Sequence, residues 1–172
     1  MIEKLTENSR DQLFFTSEVQ YGNNDSSGKQ KWKLLIVDDD PEVHNITRLV
    51  LKDFSFEGKP LEFISAYSEA DAKIVFNRYP DIAVILLDVV MEEDDSGLRF
   101  IKYIRSELKN QSVRIILRTG QPGQAPEARV VIDYDINDYK EKTELTAKKL
   151  YSSVVTSLRS YRDLQIISMS KQ

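Results

Sequence analysis

From Trp32 onward the chain alternates between short apolar runs and longer stretches in which apolar residues recur every three or four positions. The runs have strand length: KLLIVD (33–38), LEFISAY (61–67), DIAVILLD (81–88), VRIILRT (113–119) and DINDYK (135–140). Within the third, IAVILL has no polar residue, as expected of a strand in a parallel sheet with helices on both faces. Pro41, at a first-turn position, opens a helix whose Val43, Ile46, Val50 and Phe54 share one side. Ser68 is a good N-cap for a second helix, with Glu69 and Asp71 in its first turn. Gly97 to Glu107 predicts a third, with Leu98, Ile101 and Ile104 or Arg105 facing inward. A fourth, after GQPGQAPEA, is expected to be short and weak, because Pro122, Pro126 and the β-branched Val130, Val131 and Ile132 resist helix. A last helix is expected from about Thr143 to at least Leu164. Strands alternating with helices in this way predict an α/β fold: a doubly wound, flavodoxin-like, five-stranded parallel sheet of order 2-1-3-4-5, flanked by five helices.

Residues 1–31 do not share this pattern. They are polar, with YGNNDSSGKQK reading as a linker and Leu13–Phe15 as one apolar knot. Residues 32–163 are expected to form the domain, and 164–172 to begin a connector. A chain of 172 residues with 41% hydrophobic positions is most economically one domain with extensions. A net charge of −4 and a pI near 5.2 argue against direct binding of nucleic acid. Without cysteine, and with His44 as the only histidine, no His/Cys metal cluster can be built, so any metal must be held by oxygen. No apolar stretch approaches the roughly 18 residues of a membrane span, and the polar start lacks a signal-peptide core. A cytoplasmic protein without membrane contact is the expectation. His44 itself is expected to be an exposed or half-buried structural residue.

Ligands of doubly wound sheets bind beyond the carboxyl ends of the strands, where the strand order reverses. The first strand ends on Asp38 and Asp39, the third on Asp88 and the fourth on Thr119, and the fifth is followed by Lys142. In the order 2-1-3-4-5 the first and third strands are neighbours, so their terminal carboxylates converge. Three carboxylates at one spot need a cation, and oxygen donors with room for water suit Mg²⁺. An aspartate there can act as nucleophile toward a phosphoryl donor, giving an aspartyl phosphate, with Thr119 and Lys142 neutralising charge on the transferred oxygens. Asp40 reads as a helix cap, and Glu92–Asp95 as a solvated charge run.

The segments LLIVDDDPEV, VILLDVVM followed by SGL, IILRTG and DINDYKEK occur in an order and spacing that resembles a response-regulator receiver domain of bacterial two-component signalling, over about residues 32–163. The resemblance implies Asp88 as phosphoacceptor, Asp39 as direct Mg²⁺ ligand, Asp38 as a ligand through water, and the Val90 backbone carbonyl completing the set. It implies Thr119 as the switch hydroxyl beside small Gly120, Lys142 as the phosphoryl-binding ammonium, and Tyr139 as the aromatic that swings inward on activation. The fourth helix, fifth strand and last helix would form the signalling face. A cognate histidine kinase or phosphotransfer protein is the implied partner, and a homodimer is compatible with it. Such a domain is no enzyme beyond promoting its own phosphorylation and dephosphorylation.

Three positions depart from the family pattern. Thr143 follows Lys142 where proline is usual, so the customary cis peptide is not expected. VVMEEDDSG carries Glu92 in a usual proline position and one extra residue before the glycine. Val90, two residues beyond Asp88, is apolar and cannot orient an attacking water, which predicts a slowly decaying phosphoryl group. The segment from Ser112 to Leu164 further resembles receivers at the front of multidomain regulators with an HD-type cyclic-dinucleotide phosphodiesterase output. Leu150, Val154, Leu158 and Tyr161 keep a helical spacing that would carry the last helix into a coiled-coil connector. Two alternatives stand beside this reading. Asp38-x-Asp40 is the pattern of a haloacid-dehalogenase-like phosphatase, although Pro41 follows where Thr or Val is usual and Asp88 and Thr119 go unexplained. The other is a degenerate receiver acting as an interaction module.

Overall fold

Backbone pairing joins the apolar runs into one sheet. The computed structural model describes residues 30–120, 128–133, 135–141 and 147–172, with the backbone alone for Thr119, 128–130 and 139–141. The strands are β1 (Trp32–Val37), β2 (Ser55–Phe56), β3 (Lys59–Ala66), β4 (Ile82–Asp88), β5 (Arg114–Thr119) and β6 (Asp138–Glu141), in the order β2-β3-β1-β4-β5-β6. All neighbours run parallel except β2, a two-residue edge strand that pairs antiparallel with β3. The five expected strands thus stand in the expected order, and β2 is an addition. It arises from a two-residue turn at Glu57 and Gly58, both at positive φ (52° and 73°), the backbone that a tight hairpin requires.

The helices are α1 (Pro41–Leu51), α2 (Glu69–Arg78), α3 (Ser96–Lys102, continued by a π-helical turn over Tyr103–Glu107), α4 (Ala128–Asp133) and α5 (Ala147–Ser170). Ser68 caps α2, its hydroxyl accepting from the Asp71 amide at 3.1 Å, as its sequence position predicts. The fourth helix is described over six residues, whereas residues 121–127, the expected start of the last helix at 143–146 and the arm 1–29 lie outside the described residues.

Alternation along the strands divides the core in two. Leu35, Val37, Ile85, Leu87, Ile115 and Leu117 pack with Ala72 and Phe76 of α2 and Phe100 and Ile101 of α3. Leu34, Ile36, Val84, Leu86 and Ile116 face the other way, against Leu51 of α1 and Leu150, Val154 and Leu158 of α5. Every residue of β4 is buried, which is why its sequence lacks polar alternation.

The inward side of α1 requires a correction. Its buried residues are His44, Thr47 and Leu51, while Ile46 is 59% exposed and Val43 and Val50 are half-buried. Two polar side chains take core-facing positions on the helix because each has a hydrogen-bond partner there; of the expected set, Phe54, just beyond the helix, is buried and Val50 packs against the same core, whereas Ile46 faces out. His44, expected exposed or half-buried, is 1% exposed.

Candidate functional site at the carboxyl end of the sheet

The sheet reverses its winding between β1 and β4: β3 lies on one side of β1, and β4, β5 and β6 follow on the other. The carboxyl ends of β1 and β4 therefore open onto one crevice. Asp38 and Asp39 follow β1 directly and Asp88 ends β4. One carboxylate oxygen from each lies within 4.8 Å of the others, with Asp38 and Asp88 buried and Asp39 exposed.

The loop holding the first two acids is tied down from several directions. The Asp38 amide donates to Ala66 O (3.2 Å), and Asp38 Oδ1 accepts from the Asp40 amide (3.0 Å). Asp40 Oδ1 accepts from the Glu42 amide (2.9 Å), so the third aspartate is the N-cap of α1 with Pro41 behind it. His44 Nε2 lies 2.7 Å from the carbonyl oxygen of Asp38, which can only accept, so the proton is on Nε2. Its Nδ1 faces Ser65 Oγ at 2.9 Å, and Arg48 donates to that same hydroxyl at 2.6 Å, leaving the serine proton for Nδ1. Burial pushes the His44 pKa down against the pull of the Asp38 carbonyl and carboxylate, which keeps the ring neutral. Sequence reading gave His44 no part in the site; a lone polar residue six positions after a strand-end acid was its only signal.

Asp88 is anchored through its own loop. Its Oδ1 accepts from the Val90 amide at 3.2 Å, and the Val89 amide donates to Arg118 O at 3.2 Å. The start of α3 lies directly on this turn, with the Gly97 amide donating to Val89 O at 3.1 Å. A Cβ at Gly97 would stand 2.8 Å from the Val89 Cα and nearer still to the Asp88 carbonyl oxygen, so only glycine fits.

The acidic run Glu92–Asp95 is exposed, as read, but it is tethered as well as solvated. Arg99 donates to Glu69 (2.7 and 2.9 Å), Glu93 (2.7 Å) and Asp95 (2.5 Å). Glu92 accepts from the Glu69 amide at the N-terminus of α2 (3.0 Å). These bonds draw the run toward α2 and α3.

Arg118, beside Thr119, was not foreseen as part of this region. It is 4% exposed, and its Nη1 donates to Thr47 Oγ1 of α1 at 3.0 Å. Burial pushes its pKa down, while the charges of Asp38 and Asp88 pull it up. Among the other candidate residues, Thr119 ends β5 and Tyr139 lies in β6, in register with Leu117; their backbones are at the same end of the sheet. Lys142 and Thr143 lie outside the described residues.

A parallel sheet with an acid triad at its switch point is the architecture of a receiver, and the comparisons agree. The chain matches the response regulator receiver domain over residues 34–154 and belongs to that family. It is 52% identical over 143 residues to 3'3'-cGAMP-specific phosphodiesterase 2 of Vibrio cholerae serotype O1, a match covering 83% of this chain and 27% of that protein. The chain thus spans about a quarter of that relative's length. The fold is shared with a CheY-like receiver domain from Methanospirillum hungatei JF-1 (TM-score 0.61, 18% identity, 78% of this chain and 98% of that one). It is also shared with the receiver domain of an HD domain-containing protein from Pseudomonas fluorescens Pf-5 (TM-score 0.65, 17% identity, 80% and 93%). Membership makes this a signalling module of two-component systems, a class that works with histidine kinases or phosphotransfer proteins and generally holds Mg²⁺ in an acidic pocket. Among the described residues, no helix is long and apolar enough to cross a membrane.

Proposed function

We propose that this receiver is a phosphorylation switch in which Asp88 accepts the phosphoryl group. The observation that carries the reading is the gathering of the Asp38, Asp39 and Asp88 carboxylates within 4.8 Å at the switch point of the sheet. Three hard oxygen donors so close fit a small divalent cation, which Asp39 would ligate directly and Asp38 through water, with Asp88 and the Val90 carbonyl completing the protein's share. When bound, Mg²⁺ neutralises charge on the oxygens being transferred. An Asp88 carboxylate oxygen attacks phosphorus, its O–P bond forming as the bond to the donor's leaving group breaks. From acetyl phosphate the leaving group is acetate, and from a kinase it is the histidine imidazole. The Thr119 hydroxyl and the Lys142 ammonium bind the transferred oxygens, and Tyr139 moves inward with Thr119. The switch is a population shift, driven by unequal binding of the phosphoryl group to the two states.

Residues 32–163 are the receiver in this reading, and 164–172 lead toward an output. The relative from Vibrio is named a 3'3'-cGAMP-specific phosphodiesterase, which supports a cyclic-dinucleotide phosphodiesterase as the output in the full-length protein. Asp40 caps α1, which takes away half of the Asp-x-Asp pair that a haloacid-dehalogenase-like phosphatase would use.

The test is intact-mass spectrometry after incubation with acetyl phosphate and Mg²⁺, beside Asp88→Asn. One phosphoryl group on the parent and none on the variant is expected. No gain on the folded parent would leave a degenerate interaction module. Because Val90 offers no group to orient water, Val90→Asn is expected to shorten the phosphoryl lifetime several-fold, followed by the same mass measurement over time; a parent half-life of seconds in Mg²⁺ would contradict the slow decay.

A further inference from the structure

We propose that Arg118 is a second, internal cation for the phosphoryl group: on phosphorylation of Asp88 it leaves Thr47 and turns its free edge to the phosphoryl oxygens. The inference rests on Asp88 being the acceptor.

Three observations lead there. The first is placement. Asp88 and Arg118 are register partners on adjacent strands, and two residues earlier on each strand Leu86 and Ile116 lie in the same core cluster. Alternation therefore puts both side chains on the α1/α5 face of the sheet, side by side.

The second is hydrogen bonding. Nη1 has Thr47, but Nε and Nη2 are buried and have no acceptor among the described residues. A buried guanidinium with two unused donors is costly, and such a group calls for an explanation. Nε and Nη2 lie along one edge of the guanidinium, the fork that matches two oxygens of a phosphoryl group. Arg99 uses the same two nitrogens on Glu69. Transfer to Asp88 would bring three such oxygens next to the one buried fork that the described residues leave unfilled at this end of the sheet.

The third is room to move. A cavity of about 150 Å³, lined by Val43, Ile46, Val50 and Leu150 with Thr47 and Arg118, lies between α1 and the start of α5. Side chains there can shift without displacing a packed neighbour. Arg118 thus joins the acceptor strand to α1 in one state and to the phosphoryl group in the other, a route to the α1/α5 face separate from Thr119 and Tyr139.

Beryllofluoride with Mg²⁺ serves as an equilibrium mimic of the phosphoryl group, and its affinity can be measured by titration calorimetry on the full chain, with ¹⁹F NMR reporting the bound species. Arg118→Met is expected to weaken beryllofluoride binding about tenfold, the scale of a charge-assisted hydrogen bond. Its affinity for Mg²⁺ alone should stay equal or rise, because a positive charge has been removed; a merely damaged site would lose both. Arg118→Lys should recover part of the loss. Thr47→Val, which removes the competing partner, is expected to tighten beryllofluoride binding about two- to threefold. This variant tests the idea even if Arg118→Met folds poorly. Arg118→Met binding as tightly as the parent, or Thr47→Val weakening binding, would overturn the inference while leaving Asp88 as acceptor. A folded parent that binds no beryllofluoride and takes no phosphoryl group from acetyl phosphate would overturn the underlying reading, and this inference with it.

Discussion

Strand β5 carries an arginine at its start and another next to its last residue, and both are buried: Arg114 at 5% exposure and Arg118 at 4%. Arg114 is satisfied. Its Nε donates to Ser112 O (2.9 Å) and its Nη2 to Gln111 O (2.5 Å), with Asp135 3.5 Å away. Arg105, beside it, donates to Asn110 O and Asp135 O, both at 2.9 Å. Among the described residues Arg118, four positions along the same strand, makes one hydrogen bond, to Thr47. Burial lowers the pKa of all three, so desolvation does not distinguish them. Hydrogen bonding does. Among the described residues, Arg105 and Arg114 at the amino end of the sheet close loops, whereas Arg118 near the carboxyl end has donors to spare, beside the acids. A buried charge speaks for function when its partners are missing, and for architecture when they are all present.

The largest expected effect tests whether the carboxyl end is also the more tightly fitted. Gly97→Ala forces a methyl group into the backbone of Asp88 and Val89 and is expected to cost about 3 kcal/mol in urea unfolding. Gly58→Ala, at the hairpin near the opposite end, meets nothing within 4 Å and has only its φ of +73° to contend with, a cost of about 1 kcal/mol. Equal costs would show that the loop after Asp88 yields easily.

Next comes the arginine pair itself. Arg114→Met leaves the Ser112 and Gln111 carbonyls without their donor and should cost about 2 kcal/mol. Arg118→Met replaces a poorly satisfied buried cation by an apolar chain of similar length, and stability should change by less than about 1 kcal/mol or rise. Matched urea midpoints would erase the contrast between the two ends.

Much of this arrangement was legible in the chain. The parallel strands announce themselves as apolar runs because helices cover both faces, and the acids stand out because they break those runs at their ends. The two-residue β2 carries too little pattern to be read. The inward side of α1 was misread because His44 and Thr47 face the core with partners in other elements: Asp38 and Ser65 for the first, Arg118 for the second. Arg118 shows the same difficulty from the other side. A charge inside an apolar strand reads as an exception until the register places it beside Asp88. Gly97 was visible as part of SGL, but not the backbone it must admit. In each case the deciding contact joins residues in different elements, which periodicity along one element does not encode.

The smallest expected effect concerns the acidic run, and its sign follows from Glu69. Hydrogen bonding to Arg99, outweighing partial burial, holds the Glu69 carboxyl below its ordinary value of 4.5. A carboxylate with a depressed pKa in the folded state contributes stability that is present above the unfolded value and is lost as pH falls through the folded one. The parent should therefore lose stability on going from about pH 6 to below about pH 4, and Arg99→Gln should lose less over the same interval. Arg99 is a surface residue, so added salt should shrink the difference. Urea midpoints of the two proteins across that interval, at low and high salt, would check it. An Arg99→Gln profile parallel to the parent's would mean that the ion pairs to Glu69, Glu93 and Asp95 do not hold the loop. Its attachment would then rest on the Glu92 bond to the Glu69 amide and on the packing of Gly97 against Asp88 and Val89.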